Sequence, residues 1–214
     1  MLGLDGATLI TYALILVIAL PAHELAHAWM ADAFGDTTPR SQGRLSPNPL
    51  VHLDPIGSLL LIFAGFGWAR PVQVDASILR RRSPAALMLV SVAGPLTNLV
   101  LALLGAALFR LGLVSTYFTT GTNFPTLGQF VSMFVLVNLV LMLFNLIPVA
   151  PLDGEEVLAF FLPAPGRSAL AAFRPYGPYV LLVVVLLGRS GSFNPLGTII
   201  FQPALWLARH FIGM

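Results

Sequence analysis

Long apolar runs, separated by short polar stretches, make up most of the chain. A transmembrane helix needs about 20 mainly apolar residues, and five segments of this sequence follow that pattern, although the fourth is short. We therefore predict an all-α polytopic membrane protein with about five to six transmembrane helices. The predicted helices cover approximately residues 6–33, 84–112, 128–149, 175–188 and 194–212.

A sixth apolar stretch, residues 56–66, lies after the first predicted helix. It is shorter than a bilayer requires, and Pro55, Gly57, Gly65 and Gly67 lie at its two ends. This combination favours a short re-entrant or β-like element over a sixth span. Irregular backbone is tolerated at membrane depth only beside protein or a water-filled cavity, so such an element would border a cavity.

The arginines indicate how these segments are oriented. If residues 56–66 enter and leave on one side, nine of the 11 arginines share that side, whereas Arg110 and Arg189 lie on the other. An excess of arginine marks the cytoplasmic side, so we expect the larger group in the cytoplasm. The larger group comprises Arg40, Arg44, Arg70, Arg80, Arg81, Arg82, Arg167, Arg174 and Arg209.

Composition narrows the class of protein further. Of the 214 residues, 57% are hydrophobic and 9% are charged, against about 25% charged residues in soluble domains. The length suits one membrane-embedded domain, residues 1–214, with a core at about 6–160 and additional helices at about 175–212. No basic cluster with interleaved aromatic residues indicates a nucleic-acid partner. The absence of cysteine excludes disulfides and thiolate metal ligands.

The first apolar segment carries the run His23-Glu24-Leu25-Ala26-His27. On a helix, two histidines four residues apart share one face and can bind one zinc ion, while the glutamate can act as a general base. The alternative is a polar network within the core, but such side chains are costly in a bilayer without a function. The segment lacks a basic n-region, so we expect it to be retained rather than cleaved as a signal peptide.

Asp153 is the strongest candidate for a third ligand, since catalytic zinc takes three ligands from the protein. It lies in the run Asn145 to Gly154, where Pro148 and Pro151 interrupt helical hydrogen bonding and Gly154 permits a close backbone approach. Under the predicted topology this run and the HExxH motif lie at similar depth, toward the cytoplasm. An acidic side chain there is costly unless it is paired or bound to metal.

With these motifs the chain resembles the site-2 proteases, the zinc intramembrane metalloproteases. The HExxH motif, Gly94-Pro95-Leu96-Thr97-Asn98 and Asn145 to Gly154 carry the resemblance, which covers most of residues 20–160. Two further runs, Asn48 to Pro55 and Gly67 to Val72, are similar to the compact bacterial branch, which lacks PDZ and CBS domains. This resemblance implies that the protein lies in a bacterial cytoplasmic membrane. The resemblance implies one zinc ion per chain, base catalysis by Glu24, and zinc ligation by His23, His27 and Asp153.

The resemblance also suggests roles at other positions. Asn145 is expected to hold the substrate strand or the developing oxyanion, with an interhelical hydrogen bond as the alternative. Asn98 is a candidate for supporting the site, and Asn138 is expected to be structural. The chain departs from the family pattern at Glu155 and Glu156, where small residues or an arginine are usual. Negative charge there would alter zinc affinity or substrate preference.

His52 and Asp54 flank the predicted re-entrant element. The favoured interpretation is that they hydrogen-bond within their own loop. The alternatives are that they gate the site or bind the metal in a closed state.

Together these features predict a zinc-dependent intramembrane endopeptidase whose substrates are single-span membrane proteins. Residues 56–74 are a candidate strand edge for an unwound substrate, in which case proline at Val72 or Val74 would reduce cleavage and spare zinc binding. The alternative is a non-hydrolytic membrane metal-binding protein, either a transporter or a pseudoprotease. A transporter needs ionisable residues along a path through the membrane, and a pseudoprotease would have lost Glu24 or a ligand.

Overall fold

The computed structural model describes residues 6–57, 68–115, 125–189 and 194–213. Within these ranges the regular structure is helical and no β-strand is present, so the predicted all-α fold is confirmed for the described part of the chain. The helices are α1 (Gly6–Ala33), α2 (Thr38–Ser41), α3 (Ala76–Arg82), α4 (Ala86–Arg110), α5 (Leu127–Asn145), α6 (Asp153–Phe161), α7 (Ala164–Phe173), α8 (Gly177–Arg189) and α9 (Gln202–Ile212). Short 3₁₀ turns lie at Pro49–Val51 and Arg174–Tyr176, and a π-helical turn lies at Gly197–Phe201.

Four helical segments of the described chain are long and apolar enough to cross a membrane: Thr11–Ala33, Ala86–Arg110, Leu127–Asn145 and Ala164–Gly188. The first three correspond to predicted spans, and the fourth joins α7, the 3₁₀ turn and α8. The predicted last span contains the π-helical turn and the 11-residue α9, which at about 1.5 Å per residue is shorter than the bilayer core. A total of five or six spans therefore stays a prediction.

Helix α4 packs against both α1 and α5 and forms the centre of the structure. Small residues allow these helices to approach closely: a Cβ on Gly105 would lie 2.9 Å from Cγ2 of Val135. Ala106 on α4 is buried in the same cluster, and Ala204 on α9 closes one side of it. The helices that carry the HExxH motif and the Gly94–Asn98 run are thus held side by side.

The connection between α5 and α6 brings Asp153 back toward the core. Helix α5 ends at Asn145, before the predicted residue 149, and the following run contains Pro148 and Pro151, which lack a backbone N–H. A Cβ on Gly154 would overlap the carbonyl oxygen of Leu146. This contact confirms the predicted close approach at Gly154. Helices α6 and α7 were not predicted.

The polypeptide between α1 and α3 contains two segments that meet without forming a sheet. Leu53 and Ala69 form an isolated antiparallel bridge, and residues 70–75 run without regular secondary structure. Residues 55–57 are helical. Most of the predicted re-entrant element, residues 56–66, lies outside the described residues, so its nature stays a prediction.

Candidate metal centre

His23, His27 and Asp153 converge where α1 meets the start of α6. Both histidines are buried, and their Nε2 atoms are 3.0 Å apart. Oδ2 of Asp153 lies 3.2 Å from Nε2 of His23, and Oδ1 lies 3.4 Å from Nε2 of His27. One ligand atom from each of the three side chains lies within 4.8 Å of the others. The structure therefore brings together the three residues that were predicted to hold a metal.

Both imidazole rings are oriented by an acceptor at Nδ1. Nδ1 of His23 is 2.6 Å from Oδ1 of Asn98, and Nδ1 of His27 is 2.7 Å from the carbonyl oxygen of Val90. A neutral imidazole that faces an acceptor at Nδ1 carries its proton there and keeps the Nε2 lone pair free. Each histidine therefore directs a lone pair toward Asp153. Hydrogen bonds of this kind fix the ring and strengthen metal binding.

Asn98 takes its own orientation from a chain of buried amides. Its Nδ2 donates to Oδ1 of Asn138 at 3.0 Å and to the carbonyl oxygen of Ala19 at 3.4 Å. Nδ2 of Asn138 donates to the carbonyl oxygen of Phe134 at 2.8 Å. Because a carbonyl can only accept, Phe134 fixes the orientation of Asn138, which fixes Asn98 and then His23. Asn138 is thus connected to the candidate site through Asn98, although the sequence predicted only a structural role for it.

Gly94 on α4 lies directly against the two histidines. A Cβ at this position would be 2.5 Å from Nε2 of His27 and 2.6 Å from both Cε1 and Nε2 of His23. No real Cβ contact is that short, so a larger residue would displace the imidazoles. The absence of a side chain at Gly94 therefore preserves the space into which the Nε2 lone pairs point.

The donor set fits a zinc ion. Two lone pairs and a carboxylate face one another, and the ring protons are held at Nδ1, on the far side. Oδ2 of Asp153 is buried and, among the described residues, has no hydrogen-bond partner. Two histidines and one acidic residue are a ligand set used by catalytic zinc sites, and a divalent cation would neutralise the buried carboxylate.

Glu24, predicted as the general base, is half-buried on α1 between the two histidines. Its Oε2 accepts a hydrogen bond from the backbone N–H of Val72 at 2.9 Å. Among the described residues, Val72 is its only hydrogen-bond partner. One oxygen of the carboxylate is thus anchored to residues 70–75, and the other remains available for proton transfer.

Arg44 holds the segment that contains Val72. The side chain is buried, with 3% exposure, and donates to three backbone carbonyls. Burial lowers the pKa of Arg44, repulsion from Arg70 lowers it further, and attraction to Glu24 acts in the opposite direction. Arg44 therefore lies within electrostatic reach of the Glu24 carboxylate. Its acceptors are the carbonyl oxygens of Val51, Arg70 and Pro71.

Two further predicted residues contact their own segments. His52 is buried, and its Nε2 lies 2.9 Å from the carbonyl oxygen of Ser46, which agrees with the loop interpretation. Asp54 likewise accepts the N–H of the nearby Gly57. Nδ2 of Asn145 donates to the carbonyl oxygen of Leu141 on its own helix at 3.0 Å, and no hydrogen bond in the described structure joins Asn145 to the three candidate ligands.

The negative charge that follows Asp153 is paired. Arg174 donates from Nε to Oε1 of Glu155 at 2.8 Å and from its terminal nitrogen to Oε1 of Glu156 at 2.6 Å. Glu155 is buried, so this partner compensates much of the cost of placing its charge there. The departure from the family pattern at these two positions is therefore matched by an arginine from the turn before α8.

Comparison with known proteins found relatives that are named as zinc metalloproteases. "Putative zinc metalloprotease YwhC" of Bacillus subtilis is 41% identical over 204 residues, which cover 92% of this chain and 86% of that protein. "Putative zinc metalloprotease Rip2" of Mycolicibacterium smegmatis is 35% identical over 179 residues, and its namesake in Mycobacterium tuberculosis is 30% identical over 173 residues. The chain spans 64% of the length of each Rip2 protein. No protein-family model and no solved structure matches the chain.

Proposed function

Because the chain belongs to the site-2 protease family of zinc metalloproteases, we propose that it is a zinc-dependent intramembrane endopeptidase. It would hydrolyse peptide bonds within or near the transmembrane segments of single-span membrane proteins and use one zinc ion per chain. The observation that carries this proposal is the convergence of His23, His27 and Asp153 beside Glu24. Both histidines and Glu24 lie on a helix that is long and apolar enough to cross a membrane.

The arrangement supports a hydrolytic mechanism with Glu24 as the general base. Zinc held by His23, His27 and Asp153 would supply Lewis-acid polarisation of the scissile carbonyl and lower the pKa of water. Glu24 would take a proton from the attacking water on the carboxylate oxygen that Val72 does not engage, and later return it to the leaving amine. Residues 70–75 would keep that carboxylate in place during both transfers.

Residues 70–75 also support binding of the substrate as an added strand. Among the described residues, the backbone N–H groups of Gln73 and Val74 have no hydrogen-bond acceptor. Consecutive N–H groups of an extended chain point to opposite edges, so an unwound substrate could pair by β-addition with the edge that carries the Val74 N–H. Asn145 would support the substrate or the oxyanion once its amide leaves the carbonyl of Leu141.

We propose that the protein is oriented with its candidate metal centre toward the cytoplasm of a bacterial cell. The distribution of arginines supports this orientation. In this proposal, residues 56–66 would form a re-entrant element. The π-helical turn and α9 would together form a further membrane segment. All of the chain, residues 1–214, would belong to one membrane-embedded domain.

Zinc analysis combined with a cleavage assay tests the proposed enzyme. Wild type and Glu24→Gln would be compared for zinc content and for cleavage of a panel of single-span membrane peptides in liposomes. We expect one zinc per chain in both proteins and cleavage by wild type alone, with the variant reduced at least about 100-fold. Zinc in both proteins with equal cleavage would contradict the role of Glu24. Zinc in both without any cleavage would favour the non-hydrolytic alternative.

Proline at Val74 tests strand addition. Because the N–H of Val72 is already bonded to Glu24, proline at Val72 would disturb the base as well, and Val74 is the cleaner position. We expect Val74→Pro to raise KM with little change in kcat or zinc content, whereas the matched Val74→Ala retains the N–H and the low KM. Equal KM values for the two variants would contradict strand addition at this edge.

A further inference from the structure

We infer that Arg44 is a positioning residue for the proposed reaction: it holds the backbone at Val72 so that the Val72 N–H fixes the carboxylate of Glu24. The inference rests on the proposed function, since the position of Glu24 matters to catalysis only in a hydrolase. Arg44 itself would not touch the substrate or the metal.

Arg44 is a buried cation whose hydrogen bonds go to backbone oxygens. In the described part of the chain none of its partners is a carboxylate. A buried charge is costly unless several hydrogen bonds compensate it, and a planar guanidinium can serve several acceptors at once. Its three bonds join residue 51 to residues 70 and 71, two segments that are far apart in sequence. The contacts of Arg44 therefore hold two loops together.

Residues 70–75, whose carbonyls at Arg70 and Pro71 accept from Arg44, are held by few other hydrogen bonds. Before Val72, the N–H of Arg70 donates to the carbonyl oxygen of His52 at 2.8 Å. After Val72, the N–H of Asp75 donates to Oδ2 of the buried Asp36 at 2.6 Å. On the other side of Val72, the side chain of Gln73 accepts a hydrogen bond from Nε2 of Gln42 at 3.0 Å. The intervening residues form no helix or strand, so the two carbonyls bonded by Arg44 are the backbone anchors next to Val72. Removing Arg44 would free the backbone immediately before it.

Val72 transmits this constraint to the base. Its N–H lies 2.9 Å from Oε2 of Glu24, and no other hydrogen bond to that carboxylate exists among the described residues. A glutamate side chain rotates about three bonds, so one fixed oxygen restricts where the second oxygen can lie. A general base must stay within hydrogen-bond reach of the proton it removes, and a misplacement of about 1 Å can cost about 100-fold in rate.

Hydrogen exchange at the Val72 amide tests the linkage without any substrate. The zinc-loaded full-length protein in detergent would be compared with Glu24→Ala, Arg44→Ala and the control Arg40→Ala. Arg40 is exposed on α2 and pairs with Asp32, so its removal deletes a nearby arginine outside the proposed linkage. We expect faster exchange at Val72 in the first two variants, wild-type exchange in the control, and unchanged zinc content throughout.

Kinetics then test the consequence for catalysis. We expect Arg44→Ala to lower kcat about 10- to 100-fold with little change in KM. Val72→Pro, which removes the N–H itself, should cause a similar loss. The effects of substitutions at residues that act as one unit are not additive. The double variant Arg44→Ala/Val72→Pro should therefore have a kcat no lower than that of the slower single variant. Arg44→Lys keeps the charge without the fork and should fall between wild type and Arg44→Ala.

Distinct outcomes would overturn the linkage or the proposed function. Unchanged Val72 exchange in Arg44→Ala, or additive losses in the double variant, would show that Arg44 does not act through Val72. If wild type cleaves no peptide, the proposed function fails, whereas the exchange comparison still decides whether Arg44 positions Glu24. If Arg44→Ala does not fold, Arg44→Lys provides the exchange comparison, and Val72→Pro, which has no amide proton at this position, provides the kinetic comparison.

Discussion

The amide oxygen of Asn98 keeps the ring proton of His23 on Nδ1, so that the Nε2 lone pair faces Asp153. Asn98→Leu would remove the acceptor at Nδ1, so the ring proton could move to Nε2 and block the ligating lone pair. We expect zinc affinity, measured by competition with a metal indicator, to fall about 10- to 100-fold. The control is Ser132→Ala, because that hydroxyl donates to the carbonyl oxygen of Gly128 within α5 at 2.7 Å. Equal affinities for the two variants would contradict this role of Asn98.

Gly94 supplies a steric test of the same centre. Gly94→Ala would place a methyl group only 2.5 to 2.6 Å from imidazole atoms of His23 and His27, which is too close for both to keep their positions. We expect the purified variant to lose bound zinc while remaining folded. Gly105→Ala on the same helix is the matched control, because its added Cβ would meet the side chain of Val135 and should lower the melting temperature without lowering zinc content. Retention of zinc by Gly94→Ala would contradict the close fit of α4 against the histidines.

Residues of the candidate site differ in how far the sequence could predict them. The positions of His23, Glu24 and His27 on one helix were predictable because they depend on spacing along the chain. Asp153 could be identified because few acidic residues lie at a compatible depth. Arg44 could not, since its role depends on carbonyls in two loops whose contact has no local sequence signal. Its only sequence signal, placement among the arginines predicted to face the cytoplasm, was equally consistent with a topology signal.

Two helical elements are connected by ion pairs of Arg174, which lies in the turn before α8 and bonds Glu155 and Glu156 in the first turn of α6. Arg174→Ala would leave the buried Glu155 without its charged partner, which we expect to destabilise the fold by about 1–3 kcal/mol. The melting temperature in detergent should therefore fall. Neutralising both acidic residues in that background, with Glu155→Gln and Glu156→Gln, should recover part of the loss.

Arg167→Ala provides the control for this loss, since Arg167 is exposed on the neighbouring α7. If it lowers the melting temperature as much as Arg174→Ala, the effect belongs to general surface charge rather than to the buried pair. If neutralising Glu155 and Glu156 gives no recovery, the unpaired carboxylates are not the cause.

Apolar length explains which elements were predictable. Helices α1, α4 and α5 each contain a long apolar run, and the sequence placed all three. Helices α6 and α7 have 9 and 10 residues and contain charged or small residues, so they lack the run that signals a span. The start of α6 packs against Leu146 and pairs with Arg174, and these contacts do not follow from periodicity.

For the whole molecule, the proposed orientation places the two ends of α4 on opposite faces of the membrane. A 25-residue helix is about 37 Å long, which exceeds the bilayer core of about 30 Å. Single cysteines can report each end, because the natural chain contains none and is its own unlabelled control. Suitable positions are Arg81, exposed before α4, and Leu113, exposed after it.

A membrane-impermeant maleimide should label Leu113→Cys in right-side-out vesicles and Arg81→Cys in inverted vesicles. The physical reason is that the arginine excess at residues 80–82 would hold that end in the cytoplasm under the proposed orientation. Because α3 and the candidate metal centre both pack near the start of α4, labelling of Arg81→Cys from the cytoplasm would place the centre toward that side. The reverse pattern would contradict the proposed orientation but preserve the span. Labelling of both positions from one side would contradict a membrane-crossing α4, and with it an active site within the bilayer.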